Sequence, residues 1–249
     1  MVNHSSATVT RYTSCRGPTV AVIPVGSHPL QVDLTPDGSL AVVTSFDGYI
    51  NFIDTSTNQA TIMLTSSDYN PSGVAVSPDG AFAYVTSYNN AVPALLKVDL
   101  TSMQVTAALP FSVAYPQSVS LTPDGSQAYV LFPFSPILYI VDTLTMSVVL
   151  QVPLPGPAYG AVFNSTGTQA YLGVRSTPGT IQVLNTGNYT IAASIPVGDN
   201  PTDLYVLYDS VLLTGNYYGN SMSVIDLASL TVLQTLSLPG PPHGLVQTQ

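Results

Sequence analysis

Pro71-Ser72-Gly73-Val74-Ala75-Val76-Ser77-Pro78-Asp79-Gly80-Ala81-Phe82-Ala83-Tyr84-Val85-Thr86-Ser87 is the stretch that decides the fold. A run of small and apolar residues enters a Pro-Asp-Gly turn, and a β-branched and aromatic run leaves it. Runs of about five such residues, bounded by Gly, Pro, Asn and Ser, read as strands. Asp-Gly supplies the positive φ of a tight hairpin. Two further runs, 95–99 and 103–109, complete a four-strand unit. The turn recurs as Pro36-Asp37-Gly38 and Pro123-Asp124-Gly125, then degenerates to Ser165-Thr166-Gly167 and Tyr208-Asp209-Ser210. With Ser210 in the last place, the turn residues lie 42, 45, 42 and 43 residues apart. A fixed period in this range marks a repeat architecture.

Four short antiparallel strands per period predict an all-β, six-bladed β-propeller. Five blades fall at 29–68, 71–113, 116–156, 158–198 and 201–240, and the sixth is split between the chain ends. Gly240-Pro241-Pro242-His243-Gly244-Leu245-Val246-Gln247 matches the start of the fourth repeat, so 242–249 reads as an innermost strand. Residues 19–26 match the outermost strand ending Ile195-Pro196-Val197-Gly198, residues 8–12 align with a third strand, and 1–4 with the tail of a second. Strands from both ends satisfy the open sheet edges and make 1–249 a single domain. A start inside a strand suggests a mature domain or an excised fragment.

Tyr84-Val85-Thr86-Ser87, Tyr129-Val130, the segments 71–80 and 116–125, Ile53-Asp54-Thr55-Ser56-Thr57 and the Ile-Pro-Val-Gly strand end together resemble the YVTN-type β-propeller repeat. The resemblance covers nearly the whole chain. It erodes in repeats four and five, where Asn185 replaces the Asp and Tyr208 the Pro. It implies a secreted or surface-layer propeller, and related folds include lactonases and lyases.

Composition removes several classes of function. Only 7% of residues are charged, the net charge is −9, and four basic residues (Arg11, Arg16, Lys97, Arg175) make up the positive side. Four cations cannot build the footprint that a phosphate backbone requires, which excludes nucleic acid, and the same poverty argues against anionic membrane. The most apolar stretch, 131–141, is broken by Pro133, Ser135 and Pro136, so no membrane insertion is expected. Cys15 stands alone, which rules out an internal disulfide and a cysteine metal cluster. The chain contains no Glu, hence no His-Glu-x-x-His motif, and no nucleophile elbow or phosphate loop. Lys97, mid-strand, reads as a snorkelling blade residue.

Of the thirteen aspartates, Asp37, Asp79, Asp124 and Asp209 are turn residues, while Asp54, Asp99, Asp142 and Asp226 close third strands. Asp33, Asp47, Asp68, Asp199 and Asp203 remain, with Asp33 and Asp203 on innermost strands. Eight residues past each turn stand Phe46, Tyr88, Pro133 (between Phe132 and Phe134), Arg175 and Tyr218, with Ser5 beside His4 in the sixth blade. The inter-blade loops add His28, Tyr69, Asn70, Tyr115, Tyr159, Asp199, Asn200 and His243. Aromatic rings with amides and a single Arg suit a carbohydrate, peptide or small molecule. The expected ligand-binding set is therefore Phe46, Tyr88, Tyr115, Tyr159, Arg175 and Tyr218. His4, His28 and His243 converge on the sixth blade and are the candidate metal ligands, although no cofactor is required.

The first reading is a monomeric, non-catalytic extracellular or cell-surface binding module. The alternative is a channel-mouth enzyme of lactonase or lyase type using His28 or His243 as base with Asp33 or Asp203, with or without a bound metal.

Overall fold

The computed structural model describes residues 2–13, 19–64, 69–89 and 91–242. The chain opens with β1 (Val2–Asn3), a single 3-10 turn (His4–Ser6), β2 (Thr8–Thr13) and β3 (Thr19–Pro24). The first repeat contributes β4 (Pro29–Leu34), β5 (Leu40–Ser45), β6 (Tyr49–Asp54) and β7 (Gln59–Leu64). The second contributes β8 (Pro71–Val76), β9 (Phe82–Ser87), β10 (Ala94–Asp99) and β11 (Gln104–Pro110), and the third β12 (Ser118–Leu121), β13 (Gln127–Leu131), β14 (Ile137–Asp142) and β15 (Ser147–Pro153). The fourth runs β16 (Ala158–Phe163), β17 (Gln169–Val174), β18 (Thr180–Asn185), β19 (Thr190–Pro196), and the fifth β20 (Pro201–Leu207), β21 (Val211–Asn216), β22 (Ser221–Asp226), β23 (Thr231–Ser237). Each repeat is one four-stranded sheet in chain order, and β1-β2-β3 form a sixth, three-stranded sheet. The innermost strand anticipated at 242–249 lies, beyond Pro242, outside the described residues, as do Cys15, Arg16, Asp68 and His243.

The chain forms two compact units. One comprises Met1–Leu121, Gly125–Val130 and Asp142–Ser147, and the other Thr122–Asp124, Leu131–Val141 and Val148–Gln249, so the strands of the third repeat are divided between them. In the first unit Val42, Ile50 and Phe52 pack with Val74, Val85, Leu96 and Val98. Val9, Ile23 and Val25 pack with Val43 and Ile53. In the second unit Tyr171, Ile181 and Val183 pack with Leu212 and Ile225. Burial of each such side chain contributes about 1.5–3 kcal/mol. Central strands are buried on both faces, as β10 is, whereas β11 alternates between exposed and half-buried positions.

Short side chains on the innermost strands let backbones approach one another. An ideal Cβ on Gly73 would sit 2.4 Å from Gln117 O. The Gly73 N–H donates to Thr86 Oγ1 at 2.8 Å, and that hydroxyl donates to Gln117 O at 3.0 Å. Between β4 and β8, the Asp33 carboxylate accepts the Val76 N–H at 2.8 Å, and its other oxygen accepts Leu34 N–H at 2.9 Å. Lys97 behaves as expected, with Nζ 2.9 Å from Thr143 O and 4.3 Å from the Phe82 ring centroid.

Most of the aspartates sit in turns, where the sequence places them. Asp37 Oδ1 accepts Thr35 Oγ1–H and the Ser39 N–H and hydroxyl. Asp54, Asp99, Asp142 and Asp226 each accept N–H groups of the turn that follows, and Asn185 does the same. Gly38, Gly80, Gly125 and Gly167 have φ of +69°, +71°, +72° and +69°. The fifth repeat departs from the expected alignment. Ser210 does not occupy a left-handed position, whereas Tyr208 and Asp209 do, each at φ +50°. The hairpin between β20 and β21 has three residues, 208–210, where 35–39 and its counterparts have five. Asp209 also does not brace its own turn: it accepts the N–H of Ser165 at 2.8 Å and the Ser165 hydroxyl.

Candidate functional site

One backbone bond recurs after the second strand of the first, second, fourth and fifth repeats and joins that loop to the loop entering its blade. Phe46 N–H donates to His28 O at 3.0 Å, Tyr88 N–H to Asn70 O at 2.8 Å and Arg175 N–H to Pro157 O at 2.8 Å. In the fifth repeat the donor is Tyr217, to Asn200 O at 2.9 Å. The shortened hairpin thus makes Tyr217, not Tyr218, the counterpart of Phe46, Tyr88 and Arg175. Three entry-loop residues that precede a proline adopt left-handed backbone: His28 (φ +52°), Tyr115 (φ +63°) and Asn200 (φ +56°). Non-glycine residues held there carry strain that the surrounding bonds must offset.

In the first unit the predicted aromatics form a ladder. Phe46 lies 6.1 Å from Tyr88, and Tyr88 lies 5.0 Å from Tyr115, centroid to centroid. Asn70 Nδ2 donates to Phe46 O at 2.9 Å, and Asn89 Nδ2 to Asn70 Oδ1 at 2.8 Å, so amides fix the loops that carry the rings. The three rings thus contact one another in series, which is the packing role of aromatic pairs.

The same unit joins two of the histidines. His4 and His28 have centroids 5.0 Å apart, and His28 Nδ1 is 2.9 Å from Asp47 Oδ2. Asp47 carries no assigned role in the repeat, yet it follows Phe46 directly and so shares its loop; that adjacency was the available signal. Asp33 is engaged by backbone N–H groups instead of a histidine, and burial raises its pKa against the lowering effect of those bonds. Asp203 Oδ2 is 3.4 Å from the Thr202 hydroxyl. Among the described residues no group of three His, Cys, Asp or Glu is placed to hold a metal ion.

The second unit contains a cavity of about 620 Å³ beside Arg175. Phe134, Pro157, Asp199, Asn200 and Tyr218 line it with Arg175, and Ser176 and Thr177, which the repeat pattern does not single out, add hydroxyls. The Arg175 guanidinium carbon lies 5.6 Å from the Tyr218 ring centroid, and Nη1 donates to the Tyr159 hydroxyl at 3.3 Å. Phe134 and Tyr218 are 61% and 62% exposed, large values for rings facing a cavity. Asn200 is buried, and its Oδ1 has no hydrogen-bond partner. The expected residues Tyr159, Arg175 and Tyr218 therefore meet at one place.

No protein-family model and no curated protein matches the chain. Among solved structures, hydrazine synthase of Kuenenia stuttgartiensis superposes with a TM-score of 0.84 at 17% identity, covering 96% of this chain and 83% of that one. The dihydro-heme d1 dehydrogenase NirN, in complex with DHE, gives a TM-score of 0.74 at 20% identity, covering 96% of this chain and 53% of that one. At such identities the likeness establishes the fold, a six-bladed β-propeller, and nothing about chemistry.

Proposed function

We propose that this propeller, of the YVTN repeat type, is a non-catalytic binding module displayed outside the cell or on its surface, and that its ligand occupies the Arg175 cavity. The observation that carries this reading is the state of Arg175. In a chain of net charge −9, its guanidinium has no ion-pair partner among the described residues and faces a cavity walled by exposed rings. A guanidinium stacked on a ring offers planar, bidentate donors to a ligand, and the rings offer apolar contact. A ligand that binds only the native state raises its melting temperature by mass action. A thermal-shift screen of sugars, sugar acids, amino acids and short peptides should yield stabilisers of the wild type that lose their effect on Arg175→Gln. Stabilisers that act equally on both proteins would refute the placement.

A second reading rests on His28 and Asp47. A carboxylate on Nδ1 orients an imidazole so that Nε2 can accept a proton, the arrangement of a base and its positioning group. If the module is instead a lactonase or lyase, Asp47 takes the place that Asp33 was expected to fill. Turnover of a lactone panel should then vanish in His28→Gln and fall in Asp47→Asn, with folding unchanged.

A further inference from the structure

We infer that the ligand of the Arg175 cavity is a zwitterion, an α-amino acid with a ring-bearing side chain; this rests on the cavity being the binding site. Two opposite charges line the one cavity without meeting. Arg175 and Asp199 are both among its walls, yet they form no ion pair, since His28–Asp47 is the ion pair found among the described residues. Arg175 makes one hydrogen bond, to the Tyr159 hydroxyl, which leaves its other donors for a carboxylate.

Asp199 has an equally open carboxylate. Its backbone is tied down, with Gly219 N–H donating to Asp199 O at 3.3 Å, but no hydrogen bond engages its side chain among the described residues. Next to it, the Asn200 carboxamide is buried with Oδ1 unpartnered. Asn200 is also pinned, by its left-handed φ of +56° and by the Tyr217 N–H on its carbonyl. The Asp199 carboxylate is thus the acceptor suited to an ammonium, opposite in character to Arg175. Phe134 and Tyr218, on the same cavity, present apolar surface to a ring. A neutral sugar would leave both charges unanswered. A simple carboxylate would answer Arg175 but place its own charge beside Asp199. A zwitterion answers both.

The test is calorimetric titration with phenylalanine, N-acetylphenylalanine, which lacks the ammonium, phenylalaninamide, which lacks the carboxylate, and glucose. Phenylalanine should bind at least about tenfold more tightly than either blocked derivative, about 1.4 kcal/mol. Arg175→Gln should abolish the preference over phenylalaninamide, and Asp199→Asn the preference over N-acetylphenylalanine, each with an unchanged melting temperature. Equal binding of all three phenylalanine compounds would overturn the inference. Binding of glucose but not phenylalanine, sensitive to Arg175→Gln, would overturn it while leaving the binding-module reading intact. If no compound binds and Arg175→Gln is silent throughout the broader screen, both readings fail.

Discussion

Replacing Gly73 by alanine tests the close approach of innermost strands that organises the first unit. The added Cβ would lie 2.4 Å from Gln117 O, 2.9 Å from Thr86 Oγ1 and 3.0 Å from Ser118 Cα. A carbon–oxygen contact normally settles near 3.3 Å, so β8 and β12 must separate by roughly 0.9 Å. Two of the three obstructing atoms are backbone and cannot swing aside. Overpacking of this kind costs about 1–3 kcal/mol. The shift also strains the chain of bonds from Gly73 N–H to Thr86 Oγ1 and on to Gln117 O, each worth about 1 kcal/mol. Alanine recovers about 0.4–1 kcal/mol by restricting the unfolded chain. The expected net loss is about 2–4 kcal/mol. Urea unfolding measures it, with Gly240→Ala as the control: nothing lies within 4 Å of a Cβ there, and a change within about 0.5 kcal/mol is expected. A Gly73→Ala protein as stable as wild type would refute the strand spacing.

Tyr208→Gly should stabilise by about 0.5–1 kcal/mol, because an exposed residue at φ +50° sheds its left-handed strain and loses little packing; a loss in urea titration would contradict the turn geometry. Lys97→Met should cost about 1–2 kcal/mol through the lost bond to Thr143 O and the lost ring contact, and a stability equal to wild type would show that the ammonium does nothing there. Hydroxyl and N–H donors hold the Asp37 and Asp54 carboxyls at about 2, below the ordinary 3.8. A depressed folded value means that their stabilisation is complete above the unfolded value and fades as pH falls through the folded one. Melting temperature should therefore drop between about pH 4 and pH 2, less steeply in the Asp37→Asn, Asp54→Asn double variant; an unaltered slope would refute the assignment. Asp33 carries the opposite sign, since burial raises its pKa, and its contribution weakens as pH rises through the folded value.

The sequence by itself determined the blade plan, because that information is local. The Pro-Asp-Gly turns, the third-strand aspartates that bind one or two N–H groups two or three residues on, and the β-branched runs each act within a few residues of chain. That Tyr159 and Arg175 meet was legible too, since it follows from strands reversing direction at regular intervals. Which charge meets which was not. His28 finds Asp47 nineteen residues away, Asp33 reaches Val76 on the next blade, and Asp199 shares a cavity with Arg175 without pairing to it. Those outcomes depend on the register between strands and on the length of one hairpin. A single residue of slip turns every side chain to the other face, and the shortened turn at Tyr208-Asp209 makes Tyr217 the register counterpart and puts Tyr218 at the cavity. Only the tertiary structure decides such registers, because they are set by how whole strands pack and not by any residue's own chemistry.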